Sequence, residues 1–308
     1  MTNVIGGIDK MIRKLDMLET LIVGKPKGRV VIAAAHDDNV LSSIKEVYDK
    51  GYVEPILIGD KEKIFRIAEE IGLDISKMNI VKEIDDAKSA RLAVDMINNN
   101  EADILMKGYL HTSELLKAVL SKENGLRTGG VISHVSVFEV ETYGKLLMVT
   151  DAGINIYPDL KQKAEIIQNA VNIGLKLDID RPKVAVLSAV EVVNPSIEST
   201  IHAAALSKMA QRGQIVNCRV DGPLAMDNAI NLDAALHKHI ESEVAGDADI
   251  LIVPNIEAGN ILIKSLAFLY KSKSCSILAG AKVPIVVTSR ADDSITKYYS
   301  IILALALR

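Results

Sequence analysis

Apolar positions along the chain alternate between two rhythms. Short runs of Val, Ile, Leu and Ala, such as 30–35 (VVIAAA), 53–58 (VEPILI), 79–82 and 103–106 (DILM), read as buried strands. Each is followed by a longer stretch whose apolar residues recur every three or four positions. This spacing predicts helices over 38–50, 60–71, 86–98 and 112–121, with Asp38 and Thr112 as N-caps and Gly51 and Gly72 as stops. The rhythm breaks at 131–140 (VISHVSVFEV), where polar and apolar residues alternate. The segment 145–150 follows across the turn 141–144, predicting an antiparallel pair that bridges two halves. The second half resumes the first pattern: helix 159–177, strand 183–188, helix 195–211, strand 215–220, helix 231–244, strand 249–253, helix 257–270, strands 275–279 and 284–288, and helix 292–307. Repeated strand–helix units imply a mostly parallel sheet covered on both faces, and 308 residues imply two domains.

Composition narrows the class. Aromatic residues make up 4% of the chain and Trp is absent, so the cores must be aliphatic, as in parallel sheets. A formal net charge of −4 argues against a nucleic-acid partner, which calls for a basic stripe. No run of about 18 apolar residues exists to span a membrane. The N-terminal stretch lacks the apolar core of a secretory signal, so a cytoplasmic location is expected. Cys218 and Cys275 form no CxxC or Cys/His cluster and are expected to be buried reduced thiols; no metal site is expected. GxGxxG after a strand, the P-loop, GxSxG and HExxH are all missing.

Ligands of open α/β sheets sit beyond the carboxyl ends of strands. Five predicted exits carry polar segments there, the first four containing glycine: Lys107–Thr112, Asp151–Asn155, Asp221–Pro223, Pro254–Asn260 and Ser289–Asp293. Several have structural readings as well. His111 and Thr112 suit a helix cap, Asp151 and Asn155 can close a turn, Asp221–Pro223 is a turn signal, and Glu257 suits a helix N-terminus. Arg290 is different, because an Arg in a first helical turn opposes the helix dipole and calls for an anion such as phosphate. Of the histidines, His134 lies in the alternating strand and reads as packed, while His237 and His239 point to different helix faces.

At these same exits the sequence resembles the phosphate acetyltransferase/phosphate butyryltransferase family. The matching segments are TDAGINIYPDL (150–160), DGPLAMDNAI (221–230), VPNIEAGNIL (253–262) and SILAGAKVPIVVTSRAD (276–292), in order and over nearly the whole chain. LSAVEVVNP (187–195) and TSRADDSITKYYSIILALA (288–306) resemble the phosphate butyryltransferase branch more closely. The resemblance implies an α/β, two-domain fold like that of isocitrate and isopropylmalate dehydrogenases, with mostly parallel sheets and an interdomain cleft. The expected first domain is 1–141 plus the returning 289–308, and the second is 142–288.

The implied reaction is acyl-CoA (butyryl-CoA or a similar short or branched chain) plus phosphate giving acyl phosphate plus CoA, reversibly. No cofactor is held permanently; coenzyme A and phosphate are the substrates, and a homodimer or higher homo-oligomer is expected. The resemblance assigns transition-state stabilisation to Ser289 and phosphate or CoA contact to Arg290. The family's base, an Asp, falls on Thr296 or Lys297 here, so Asp293 or Asp292 is expected to take the thiol proton. The family's Arg six residues beyond His-Thr is Lys117 here, which loses the bidentate fork. Lys107, His111, Lys117, Asp151, Asn155, Glu257 and Asn260 complete the expected binding set. The alternatives are a phosphate acetyltransferase, a CoA-binding protein of this fold that has lost catalysis, and a metal-dependent NAD-linked decarboxylating dehydrogenase.

Overall fold

The structure is a computed structural model that describes residues 11–308, so the first ten positions of the N-terminal segment lie outside the described residues. The first half contains β1 (Gly28–Ala33), α1 (Asp38–Asp49), β2 (Val53–Gly59), α2 (Lys61–Ile71), β3 (Asn79–Lys82), α3 (Asp86–Asn98), β4 (Ile104–Lys107) and α4 (Thr112–Val119). The predicted bridge is β5 (Ser133–Glu139) and β6 (Leu146–Thr150). The second half holds α5 (Leu160–Lys176), β7 (Lys183–Leu187), α6 (Glu198–Gln211), β8 (Arg219–Leu224), α7 (Met226–Ile230), α8 (Leu232–His237), β9 (Ile250–Ile252) and α9 (Ile256–Lys264). The chain closes with β10 (Lys273–Ala279), β11 (Ile285–Val286) and α10 (Ser294–Leu307).

Four local expectations change. Asp37, not Asp38, caps α1 by accepting from Val40 N, because the carboxylate must stand one residue outside the helix. His111 occupies the cap position of α4 without a side-chain cap bond, and Thr112 is already helical. Asp221–Pro223 lies inside β8 rather than in a turn, and the helix expected over 231–244 is capped by Asn231 and already ends at His237.

Among the described residues, eleven strands form one sheet in the order β3-β2-β1-β4-β11-β10-β5-β6-β9-β7-β8. The β3–β11 set and the β6–β8 set are each parallel, but three successive antiparallel pairings (β11–β10, β10–β5, β5–β6) separate them, so the two sets run in opposite directions. At about 20–25° of twist per strand, these three steps turn one set by about 70° relative to the other. The chain returns to its first half already at β11, which pairs with β4.

One face of this sheet is covered by a single apolar cluster that includes α1, α5 and the wholly apolar C-terminal half of α10. The opposite face carries two separate clusters. One joins Val31, Ala33, Leu105, Leu278 and Ile285 to α3 and α4; the other joins Phe138, Leu147, Val149 and Leu251 to the second half. Side chains alternate with period two along a strand, so Ser274 and Ser276 share the face of Leu278, and His134 and Ser136 that of Phe138. The register agrees, setting Leu278 opposite His134 and Ser276 opposite Ser136, whose hydroxyls meet at 3.0 Å. A polar strip on β10 and β5 therefore parts the two apolar clusters.

Candidate active site

The first side of the site is built where β4, β11 and the start of α10 meet. Gly108 follows β4 and lies so close to the β1 exit that a Cβ there would be 2.1 Å from Ala34 O. Only glycine permits the approach, which lets Gly108 N and Tyr109 N donate to Ala33 O and Ala34 O. This fixes Lys107, which is 3% exposed and whose Nζ donates to Gly108 O (3.1 Å) and Leu110 O (3.2 Å). A second lysine, Lys297 of α10, is equally buried and donates to Ser289 O (3.4 Å) and Asp292 O.

Main-chain carbonyls, not carboxylates, hold both ammoniums. Burial, with help from Arg290 and Lys297, lowers the pKa of Lys107 to about 8 against the opposing pull of Asp37 and Asp292. Burial also lowers that of Lys297, against Asp292, Asp37 and Asp293. Arg290 is exposed, with its guanidinium carbon 5.2 Å from the centroid of the Tyr109 ring. Ser289 N donates to Asp292 Oδ2 (2.7 Å), and Asp293 caps α10 by accepting from Thr296 N (2.8 Å). Both carboxylates expected to serve as base are thus already holding the turn that presents Ser289 and Arg290.

The second side is the loop after β6. The Asp151 carboxylate accepts from Gly153 N, Ile154 N, Asn155 N and Asn155 Nδ2, the last at 2.6 Å, and Asn155 Nδ2 also reaches Ile132 O. These two residues shape the loop. Gly259 of α9 lets that helix sit on it, since a Cβ would meet Ala152 Cα at 2.9 Å and Asp151 O at 3.0 Å. Glu257 and Asn260 are exposed on α9, and Glu257 accepts from Tyr157 OH at 2.7 Å.

His134 lies on the polar strip and feels the charges of Asp151 on the second side and Asp292 on the first. It ties the two sides electrostatically. Burial lowers its pKa from 6.5, the two carboxylates oppose this, and Lys264 reinforces it. Its Nδ1 is buried without a hydrogen-bond partner, as is the Thr288 hydroxyl two residues beyond β11.

Residues 16–92 and 82–305 match the profile of a family described as phosphate acetyl/butaryl transferase. The chain belongs to this family. It is 45% identical to a phosphate butyryltransferase of Clostridium acetobutylicum over 294 residues, covering 96% of this chain and 98% of that protein. It is also 45% identical to a phosphate acetyltransferase of Thermotoga maritima over 290 residues, covering 94% and 98%. Among solved structures, a branched-chain phosphotransacylase from Enterococcus faecalis superposes with a TM-score of 0.80 at 33% identity, covering 91% of this chain and 98% of that one.

Not every residue expected in this phosphate acyltransferase site is brought to it. Lys117 points away, its side chain 73% exposed and paired with Glu114 at 2.7 Å. It lines a separate groove of about 470 Å³ with Lys88 and Arg91, between α3 and α4. His111 is exposed at the start of α4. Asp221 accepts from Gly222 N within β8 and lines another cavity, of about 760 Å³. Conversely, Lys297, Tyr109 and the Ser136–Ser276 pair lie outside the expected binding set, and His134 is packed, as its strand pattern implies. The available signal was HVSVFE (134–139): His134 and Ser136 alternate with Val135 and Val137, marking a buried face that is not wholly aliphatic.

Proposed function

We propose that the protein transfers a short acyl group reversibly between coenzyme A and inorganic phosphate, with butyryl or a similar short or branched chain as the preferred group. The observation that carries this reading is the meeting of Lys107, Lys297 and Arg290 at one corner, two of them buried and without carboxylate partners. Buried cations demand compensating anions, and a phosphate dianion supplies two charges. Arg290 presents a fork for phosphate oxygens at the mouth. The Ser289 hydroxyl is the donor expected for the oxyanion that develops on the acyl carbonyl. Positioning two substrates together contributes much of the rate, because a bimolecular encounter becomes an intramolecular step.

In the direction that makes acyl-CoA, the CoA sulfur forms a bond to the carbonyl carbon, the carbon–oxygen bond to phosphate breaks, and phosphate leaves with the electron pair. Glu257, Asn260 and, over a longer reach, the Lys117 groove are the surfaces offered to the rest of CoA. We also read the chain as two working domains, 1–141 with 289–308 and 142–288 apart from β11, whose pairing with β4 sets it beside the first, in a homo-oligomer. Among the described residues, no helix is long and apolar enough to cross a membrane.

A thiol-release assay tests the reading. The purified protein receives acetyl-, butyryl- or isobutyryl-CoA with and without phosphate, in the presence of EDTA. Phosphate-dependent CoA release, fastest with the four-carbon substrates, is the expected result. Release fastest with acetyl-CoA makes it a phosphate acetyltransferase. CoA binding without release makes it a binding protein of the same fold.

A further inference from the structure

The reaction needs a proton acceptor for the CoA thiol, and none of the carboxylates near Ser289 is idle. Asp292 holds Ser289 N, Asp293 holds the first turn of α10, and position 297 carries a buried ammonium. We propose that His134 is the proton-transfer residue, accepting the thiol proton as CoA attacks the acyl phosphate and returning it to the CoA sulfur in the reverse reaction. The proposal rests on the phosphate acyltransferase reading and adds to it the identity of the base.

Four observations converge on His134. It lies on the sheet face where the two apolar clusters part, beside the Ser136–Ser276 hydroxyl pair. Alternation along β4 places Lys107 on the same face as Leu105, and so on the same side of the sheet as His134. The residue is only 8% exposed, yet its Nδ1 has no partner, an arrangement that buried polar groups rarely keep without a function. Its placement is also enforced. Thr150 Oγ1 donates to His134 O at 2.8 Å, and Gly153 lets the β6 loop sit tightly against the ring, since a Cβ there would approach His134 Cγ to 3.1 Å.

The electrostatics suit a base. The charged groups acting on the ring are Asp151 from the β6 loop, Asp292 from the turn before α10 and Lys264 from the end of α9. Burial keeps the imidazole neutral near pH 7, ready to accept, and the two carboxylates stabilise the imidazolium as it forms. The balance closes without another reactant. The S–H bond breaks, the proton moves to the imidazole, the S–C bond forms, and the departing phosphate carries the electron pair of the broken C–O bond. The imidazolium then releases its proton to phosphate or to water.

The test uses the full-length enzyme with butyryl phosphate and CoA, following thioester formation across pH. For the wild type, kcat/KM is expected to fall on the acid side with a pKa below 6.5, the value burial depresses. In His134→Gln, kcat is expected to drop by about 10²–10⁴-fold with the KM for CoA unchanged and the acid limb gone. Added imidazole is expected to restore part of the rate to His134→Ala. A His134→Gln enzyme with wild-type kcat and an unaltered acid limb overturns the proposal. So does a wild-type profile with no such limb, a criterion independent of whether any variant folds. A wild type that releases no CoA with phosphate sinks the transferase reading itself, and the proposal with it.

Discussion

The Arg290 guanidinium lies over the Tyr109 ring, 5.2 Å from its centroid, and so an exposed, flexible side chain from the β11 exit is steadied by a residue from the β4 exit. On the other flank, the Tyr109 ring centroid stands 6.1 Å from that of His36. A cation–π contact of this kind contributes about 0.5–2 kcal/mol. Tyr109→Leu is therefore expected to raise the KM for phosphate by about 2- to 30-fold, the same energy expressed as an affinity ratio, while Tyr109→Phe keeps the ring and stays near wild type. Initial rates over a phosphate titration decide between them; equal effects of Leu and Phe would remove the ring from the explanation.

Lys107 is held charged against its burial, which makes it a liability until an anion arrives. Its pKa of about 8 against 10.5 corresponds to roughly 3 kcal/mol of destabilisation at neutral pH. Lys107→Met should therefore unfold at higher urea than the wild type while losing phosphate-dependent turnover. The sign with pH follows. Between about 8 and 10.5 the unfolded chain holds this proton and the folded one does not, so wild-type stability from this group rises across that window. The gap between variant and wild type should narrow accordingly, as urea titrations at pH 7.5 and pH 10 will show.

Asp293 separates a cap from a base. Asp293→Asn preserves an acceptor for Thr296 N and should retain turnover, while Asp293→Ala removes the cap and costs about 1 kcal/mol of stability. A large loss of kcat in Asp293→Asn, with stability intact, would instead assign proton transfer to this carboxylate.

Acid should weaken the fold from just below neutrality. Burial lowers the pKa of His36, His134 and His202 below the 6.5 they have in an unfolded chain. As pH falls through 6.5 the unfolded state takes up these protons first, so folding stability declines between 6.5 and the lower folded-state values. His202 is further held by Lys163, whose Nζ lies 3.1 Å from its Nδ1. Urea midpoints at pH 7.5 and 5.5 measure the decline; restoring part of it with His202→Gln would locate the protons.

Most of the elements were legible because they follow local rules. β3 and α3 begin and end where periodicity places them, and Gly72 closes α2 in the left-handed conformation expected of it. The parallel halves and the antiparallel bridge followed from a change of period at 131. What escaped depends on partners far along the chain. Asp221–Pro223 carries a turn composition but is recruited into β8 by pairing with β7. Lys297 looks like a solvated helix residue until Ser289 O and Asp292 O fold back over it. The polar meaning of His134 and Ser136 depends on β10, some 140 residues away, supplying Ser276 opposite. The positions of Ser289, Arg290 and Lys107 at or just beyond strand ends were legible, because a strand's end follows from local order.

The single sheet also constrains how this enzyme can breathe. In proteins whose domains hang on a flexible linker, a cleft opens by rotation about a few backbone bonds. Here the β11–β10–β5–β6 ladder runs straight through the middle, so the halves can move apart only by changing the curl of a continuously hydrogen-bonded ribbon. Such motion acts like a leaf spring: small in travel, restored by every rung of the ladder, and felt most at the Ser136–Ser276 rung at its centre.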